Sequence, residues 1–191
     1  MRRLGGTAGT RCGVTAAVTV VSAIPAGRGD DAAALVFEYM AITLAEAGLA
    51  MPAGIDGLPP ALQYECCNLP AVYHSPGTVL IACHREELVG CVGLMSRSPE
   101  RTGEIRRLYV RPAHRGQGIA RTLMSHAHHH AAQHGITRLI LDVLPTRTSV
   151  ISFYYRLGYT DTEPFPTGSP VPMVYMERSV TRDDILPIRT S

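Results

Sequence analysis

The sequence predicts an α/β domain: a mixed central sheet of about six to seven strands with helices on its faces. Three observations predict it. Apolar and β-branched runs over Thr78–His84, Leu88–Met95 and Gly103–Val110, joined by short polar connections, read as consecutive strands. From Gly118 onward helical and strand patterns alternate, as they do in βαβ units. Between these halves, a strand ending at Val110 runs into the glycine-containing loop Arg115–Ala120 and directly into a helix.

Element by element, residues 1–13 are Gly/Thr/Arg-rich and read as a disordered leader. Val14–Ile24 loosely imitates a secretory signal behind Met1-Arg-Arg, but its alternation and β-branched content suit a first strand. Asp30 or Asp31 is expected to cap a helix running through Ala47, with Gly48 ending it. Residues 50–60 carry three prolines and two glycines and read as a loop, followed by a short helix over Ala61–Asn68. After the three strands come a helix over Gly118–His134 closed by Gly135, a buried strand over Arg138–Leu144, and a helix over Ser149–Leu157 closed by Gly158. Tyr159–Glu163 and Val171–Arg178 complete the sheet. The domain therefore spans 14–178, with 179–191 as a flexible tail.

A chain of 191 residues, 46% hydrophobic and 18% charged, supports one compact core. The net charge of +2 argues against nucleic acid. No apolar run approaches the roughly 20 residues needed to cross a bilayer. Five cysteines, two of them adjacent and none in a C-x-x-C pair, suggest neither a disulfide framework nor a zinc site. A cytoplasmic location fits best. His126, His130 and His134 share a helix face, yet no carboxylate or cysteine accompanies them there, so they read as surface histidines, with His134 partly buried, and no metal is expected.

The chemistry concentrates at the loop. A strand end that delivers backbone N–H groups and a helix N-terminus to one point suits a phosphate. Gly116 and Gly118 permit close approach, and Arg115 and Arg121 add charge. Neither the dinucleotide G-x-G-x-x-G nor the G-x-x-x-x-G-K-[ST] spacing occurs. Arg115-Gly116-Gln117-Gly118-Ile119-Ala120 instead resembles the pyrophosphate loop, Arg/Gln-x-x-Gly-x-Gly/Ala, of the GNAT superfamily of acyl-CoA-dependent N-acyltransferases. Ala82–Leu94 resembles that family's central hairpin, Ser152–Tyr159 its F/L-Y-x-x-x-G-F/Y helix end, and Val174–Arg178 its last strand. Leu69-Pro-Ala-Val-Tyr73 is similar to an L-P-x-x-Y segment of one bacterial group.

That resemblance implies a GNAT fold and an acetyl-CoA cofactor, its pyrophosphate meeting residues 116–121 and its pantetheine and carbonyl meeting the backbone of Leu108, Tyr109 and Val110. It implies Tyr154 as the acid that protonates the departing thiolate. Glu104 is the candidate base, with an exposed strand-edge glutamate, or ordered waters in its place, as the alternatives. Tyr39 and Tyr73 are candidates to line the acceptor pocket, while Glu38 and Glu65 either attract an ammonium or are solvated helix charges. Arg147 stands where relatives often carry Asn. The expected activity is direct acetyl transfer to a primary amine of a small molecule (an amino acid, polyamine or other amine-bearing metabolite), with a homodimer left open. The alternatives are a protein lysine or N-terminal acetyltransferase, or a non-catalytic acyl-CoA-binding module.

Overall fold

The computed structural model describes residues 17–97, 101–167, 169 and 171–185. The expected leader, the start of the first strand, the tip of the loop at 98–100 and the end of the tail lie outside them. Seven strands form one sheet in the order β1-β2-β3-β4-β5-β7-β6. They are β1 (Thr19–Ser22), β2 (Thr78–His84), β3 (Glu87–Arg97), β4 (Thr102–Val110), β5 (Arg138–Val143), β6 (Thr160–Asp161) and β7 (Val174–Ser179). β1 to β4 pair antiparallel, β4 and β5 pair parallel, and β7 is antiparallel to both β5 and β6. The mixed sheet with helices that the sequence predicts is the one observed.

The hairpin between β2 and β3 turns through Arg85 and Glu86, both at positive φ (49° and 69°), as a two-residue connection with right-handed strand twist requires. Among the described residues, five α-helices accompany the sheet: α1 (Gly29–Glu46), α2 (Pro60–Cys67), α3 (Leu69–Val72), α4 (Ile119–Gln133) and α5 (Thr148–Arg156). The core has two layers. Leu35, Val36, Met40, Leu69 and Tyr73 pack on one face with Ile81, Cys91 and Tyr109. Leu123, Met124, Ala127 and Tyr154 pack on the other with Val92, Ile105, Leu139 and Leu141.

Local sequence explains the helix ends with one correction. Asp30 and Asp31 do not cap α1. They lie inside its first turn, where the helix partial charge favours them, and Asp31 accepts from Arg28 Nε at 2.6 Å. The C-terminus closes as expected through Gly48 at φ 78°, with Leu49 N–H donating to Leu44 O at 2.9 Å. Leu69–Val72, expected only as a resemblance segment, forms the short helix α3.

Among the described residues the buried histidine is His128; His134, expected to be partly buried, is exposed. His128 Nε2 lies 3.0 Å from the Tyr159 hydroxyl, and Nδ1 lies 3.9 Å from Asp184, which Arg178 holds with two bonds at 3.0 Å. Burial, reinforced by the Arg178 charge and opposed by Asp184, depresses the His128 pKa to about 4. The sign follows from that depression: the unfolded chain binds a proton near pH 6.5 that the folded chain refuses. The His128 contribution to stability is fully present above pH 6.5 and is lost as pH drops toward 4, by about 3 kcal/mol. Unfolding midpoints measured from pH 7 to 4 are expected to show this loss, and His128→Gln to remove its histidine-dependent part.

Candidate active site

The site begins where two strands part. β4 and β5 pair over Thr102↔Arg138, Gly103↔Leu139 and Glu104↔Ile140, and no further. From Ile105 to Val110 the β4 edge toward β5 carries no strand partner, while β5 continues paired with β7 to Val143. A bulge accompanies the split. Against β3, Cys91 faces Tyr109 and Gly93 faces Arg106, so one extra residue enters β4, and Arg107 adopts φ 54°. Backbone groups of Leu108, Tyr109 and Val110 thus belong to a strand edge opened by the bulge, where free N–H groups suit a carbonyl oxygen.

Tyr154, from α5, is 6% exposed, and its ring packs with Phe153 and Tyr159. Among the described residues its hydroxyl has no hydrogen-bond partner. Burial raises its pKa, Tyr39 and Asp142 raise it further, and Arg147 opposes them. The result is a hydroxyl that keeps its proton at neutral pH and has not spent it on a protein acceptor.

Tyr39 approaches from α1. Its ring lies 5.6 Å from both the Arg107 and Arg147 guanidinium carbons and stands edge-on to Tyr109 at 6.5 Å. Arg147 also donates to Glu46 at 2.6 Å and Thr43 Oγ1 at 2.9 Å. It ties the β5–α5 loop to α1 at the mouth of the split.

Beneath α2 lies a charged network that the sequence did not reveal. Because of the bulge, Arg106 and Arg107 both reach Glu65, although neighbours on a regular strand point to opposite faces. Arg107 donates to both Glu65 oxygens at 2.8 and 2.7 Å. The Tyr73 hydroxyl donates to Glu65 Oε1 at 2.6 Å. Burial pushes the Glu65 carboxyl upward, but Arg107, Arg106 and Tyr73 together bring it below its ordinary value. Tyr73 is 3% exposed, and a Cβ at Gly93 would come within 2.4 Å of its ring. Glu38 is likewise engaged, accepting from Arg111 at 2.6 and 3.0 Å. Both helix glutamates considered for an ammonium therefore already hold arginines.

Glu104 is 1% exposed. Its Oε2 accepts from Arg97 Nε at 2.7 Å and also from Arg97 Nη2, which in turn donates to Pro166 O at 3.0 Å. Oε1 faces Arg106 Nε at 3.6 Å and makes no hydrogen bond among the described residues.

At the end of β4 the chain passes through a short 3-10 turn, Pro112–His114, into the glycine loop. Gly116 and Gly118 take φ 76° and 80°, and open space lies where their Cβ atoms would be. Within the protein, the first N–H of this stretch to find a backbone acceptor is that of Thr122, bonded to Gly118 O at 3.1 Å. The N–H groups of Gly116, Gln117, Gly118, Ile119, Ala120 and Arg121 are left without one among the described residues, as an anion cradle requires. No acidic residue lies in the first turn of α4. Arg115 folds back, Nε donating to Val110 O at 3.0 Å, so it braces the loop. Arg121 is exposed on the first turn of α4. Among the described residues, no group of His, Cys, Asp and Glu is arranged to hold a metal.

Residues 49–159 match the model of the acetyltransferase (GNAT) family. The chain is 29% identical over 100 residues to the IAA acetyltransferase of Azospirillum brasilense, a match spanning 52% of this chain and 65% of that relative, less than two thirds of its length. It resembles the structure of a GNAT-family acetyltransferase from Staphylococcus aureus Mu50 with a TM-score of 0.68 at 16% identity, covering 86% of this chain and all of that one (100%). It also resembles a Bacillus subtilis acetyltransferase solved in complex with CoA, with a TM-score of 0.50 at 19% identity, covering 60% of this chain and 84% of that one. The parted strands, the bulge and the N–H-lined loop lie within the matched segment, and the chain belongs to the GNAT acetyltransferase family.

Proposed function

We propose that the protein is an N-acetyltransferase that moves an acetyl group from acetyl-CoA directly to a primary amine of a small molecule. The observation that carries this reading is the junction itself. Three features support it: the split between β4 and β5, a buried tyrosine hydroxyl on α5 with no hydrogen-bond partner among the described residues, and a run of N–H groups without a backbone acceptor between β4 and α4. Bound acetyl-CoA supplies an acetyl group already activated as a thioester.

The chain's own residues do the rest. The N–H groups of residues 116–121, with Arg121, hold the pyrophosphate, and the glycines leave room for it. The free edge of β4 at Leu108–Val110 receives the pantetheine and donates to the acetyl carbonyl. The acceptor ammonium passes its proton toward Glu104 Oε1, the oxygen that Arg97 leaves free, through water. The amine nitrogen then bonds the carbonyl carbon as the carbon–sulfur bond breaks, the Tyr154 hydroxyl protonates the thiolate, and the proton that the new amide nitrogen sheds restores the Tyr154 hydroxyl. Tyr39 lines the acceptor side at the mouth of the split, and Tyr73 acts from behind, holding Glu65 in place. Among the described residues no helix is long and apolar enough to cross a membrane. The cytoplasm is the compartment we assign.

The test is thiol release from acetyl-CoA across a panel of small amines. Release that requires both acetyl-CoA and an amine is expected.

A further inference from the structure

We infer that the acceptor is an amino acid in its zwitterionic form, its carboxylate held by Arg106 and its ammonium by Asp142. The inference rests on the acetyl-transfer reading above and names the substrate class of that same cleft.

The register places the two residues together. β4 and β5 run parallel and last pair at Glu104↔Ile140. Two residues further along each strand stand Arg106 and Asp142, at corresponding positions and on one face, because side chains alternate with period two. That face lies opposite the core under α4 and α5. Leu139, Leu141 and Val143 join the core beneath α4 and α5, so Asp142 points away from it, and Arg106 reaches Glu65 on α2. The strands have parted at this level. The opposite charges therefore stand at corresponding strand positions on either side of the opening, and no ion pair joins them among the described residues, whereas on a closed sheet they would be cross-strand neighbours.

Arg106 is ion-paired with Glu104 and Glu65, but neither pair is a hydrogen bond. Arg106 lies 3.6 Å from Glu104 and 3.6 Å from Glu65, too far for a hydrogen bond to either. Those carboxylates are already bonded by Arg97 and Arg107 respectively. The one hydrogen bond Arg106 makes among the described residues is to Met95 Sδ at 3.7 Å, and its side chain is 21% exposed. Asp142 is half-buried and makes no hydrogen bond or ion pair among the described residues. Asp142 is among the groups that raise the Tyr154 pKa.

An amino acid carries both complementary charges on one carbon. With its ammonium at Asp142, the nitrogen stands beside Tyr154, where the thiolate must depart, while Arg106 takes the carboxylate with planar, directional donors. A polyamine would bring a second positive charge against Arg106. A plain alkylamine leaves Arg106 with no anion to bind.

The experiment compares kcat/KM, by thiol release from acetyl-CoA, for the proteinogenic L-amino acids, the amides of the same amino acids, and spermidine. The best free amino acid is expected to exceed its own amide by about ten- to hundredfold, the weight of a charge-assisted hydrogen-bond pair. Arg106→Gln is expected to shrink that ratio toward one, whereas a merely structural lesion lowers both substrates alike and preserves it. Asp142→Asn is expected to raise KM for the free amino acid. An unchanged ratio in Arg106→Gln overturns the assignment. Acetylation of amides or spermidine at least as efficient as that of every amino acid overturns the inference and leaves acetyl transfer standing. Thiol release with none of the amines overturns both.

Discussion

Tyr154→Phe is expected to lower kcat by about a hundredfold or more, the contribution of a positioned general acid, while the dissociation constant of acetyl-CoA changes little. The substitution keeps the ring that packs with Phe153 and Tyr159 and removes only an oxygen that bonds to nothing else among the described residues. A structural role would therefore leave no trace in kcat. Burial raises the Tyr154 pKa, so the wild-type hydroxyl stays protonated through the neutral range and its donor capacity does not titrate there. The measurement is steady-state thiol release, with calorimetric binding of acetyl-CoA as the control. An unchanged kcat would move the proton donor to solvent.

Glu65→Gln carries the largest expected cost in stability. Arg107 has a 14% exposed side chain and two hydrogen bonds to Glu65. Removing the carboxylate leaves that guanidinium buried without its counter-charge, at about 3–5 kcal/mol. Chemical denaturation at pH 7 reads the loss as a lower midpoint at unchanged slope. The folded Glu65 pKa lies below its unfolded value, so the wild-type advantage is present above the unfolded carboxyl pKa and fades as pH falls through the folded one. Wild type and variant should converge in acid. A variant as stable as wild type at pH 7 would show that Arg107 finds solvent or another anion without cost.

The architecture was legible because each strand and helix carries its own period and its own stop. Gly48, Gly135 and Gly158 end helices at positive φ, and the β4–α4 junction is announced by the spacing of Gly116 and Gly118. The interior of the site was less legible. A bulge leaves no composition signal, and Arg106-Arg107 reads as ordinary strand alternation until the positive φ of Arg107 turns both toward Glu65. Glu38 and Glu65 look like candidate ammonium binders because their partners, Arg111 and Arg107, lie 73 and 42 residues away. The opening between β4 and β5 shows only when β5 is seen to continue beyond its last pair with β4. The buried position of His128 depends on Tyr159 and Asp184, both outside the helix whose pattern was read.

Thiol release from acetyl-CoA with and without amine decides whether the protein catalyses the transfer. Release is expected to require both acetyl-CoA and an amine acceptor, and to be matched by formation of the acetylated amine. Background hydrolysis alone across amino acids, amides and spermidine would contradict it, and would leave a chain with the GNAT fold and no acetyl transfer.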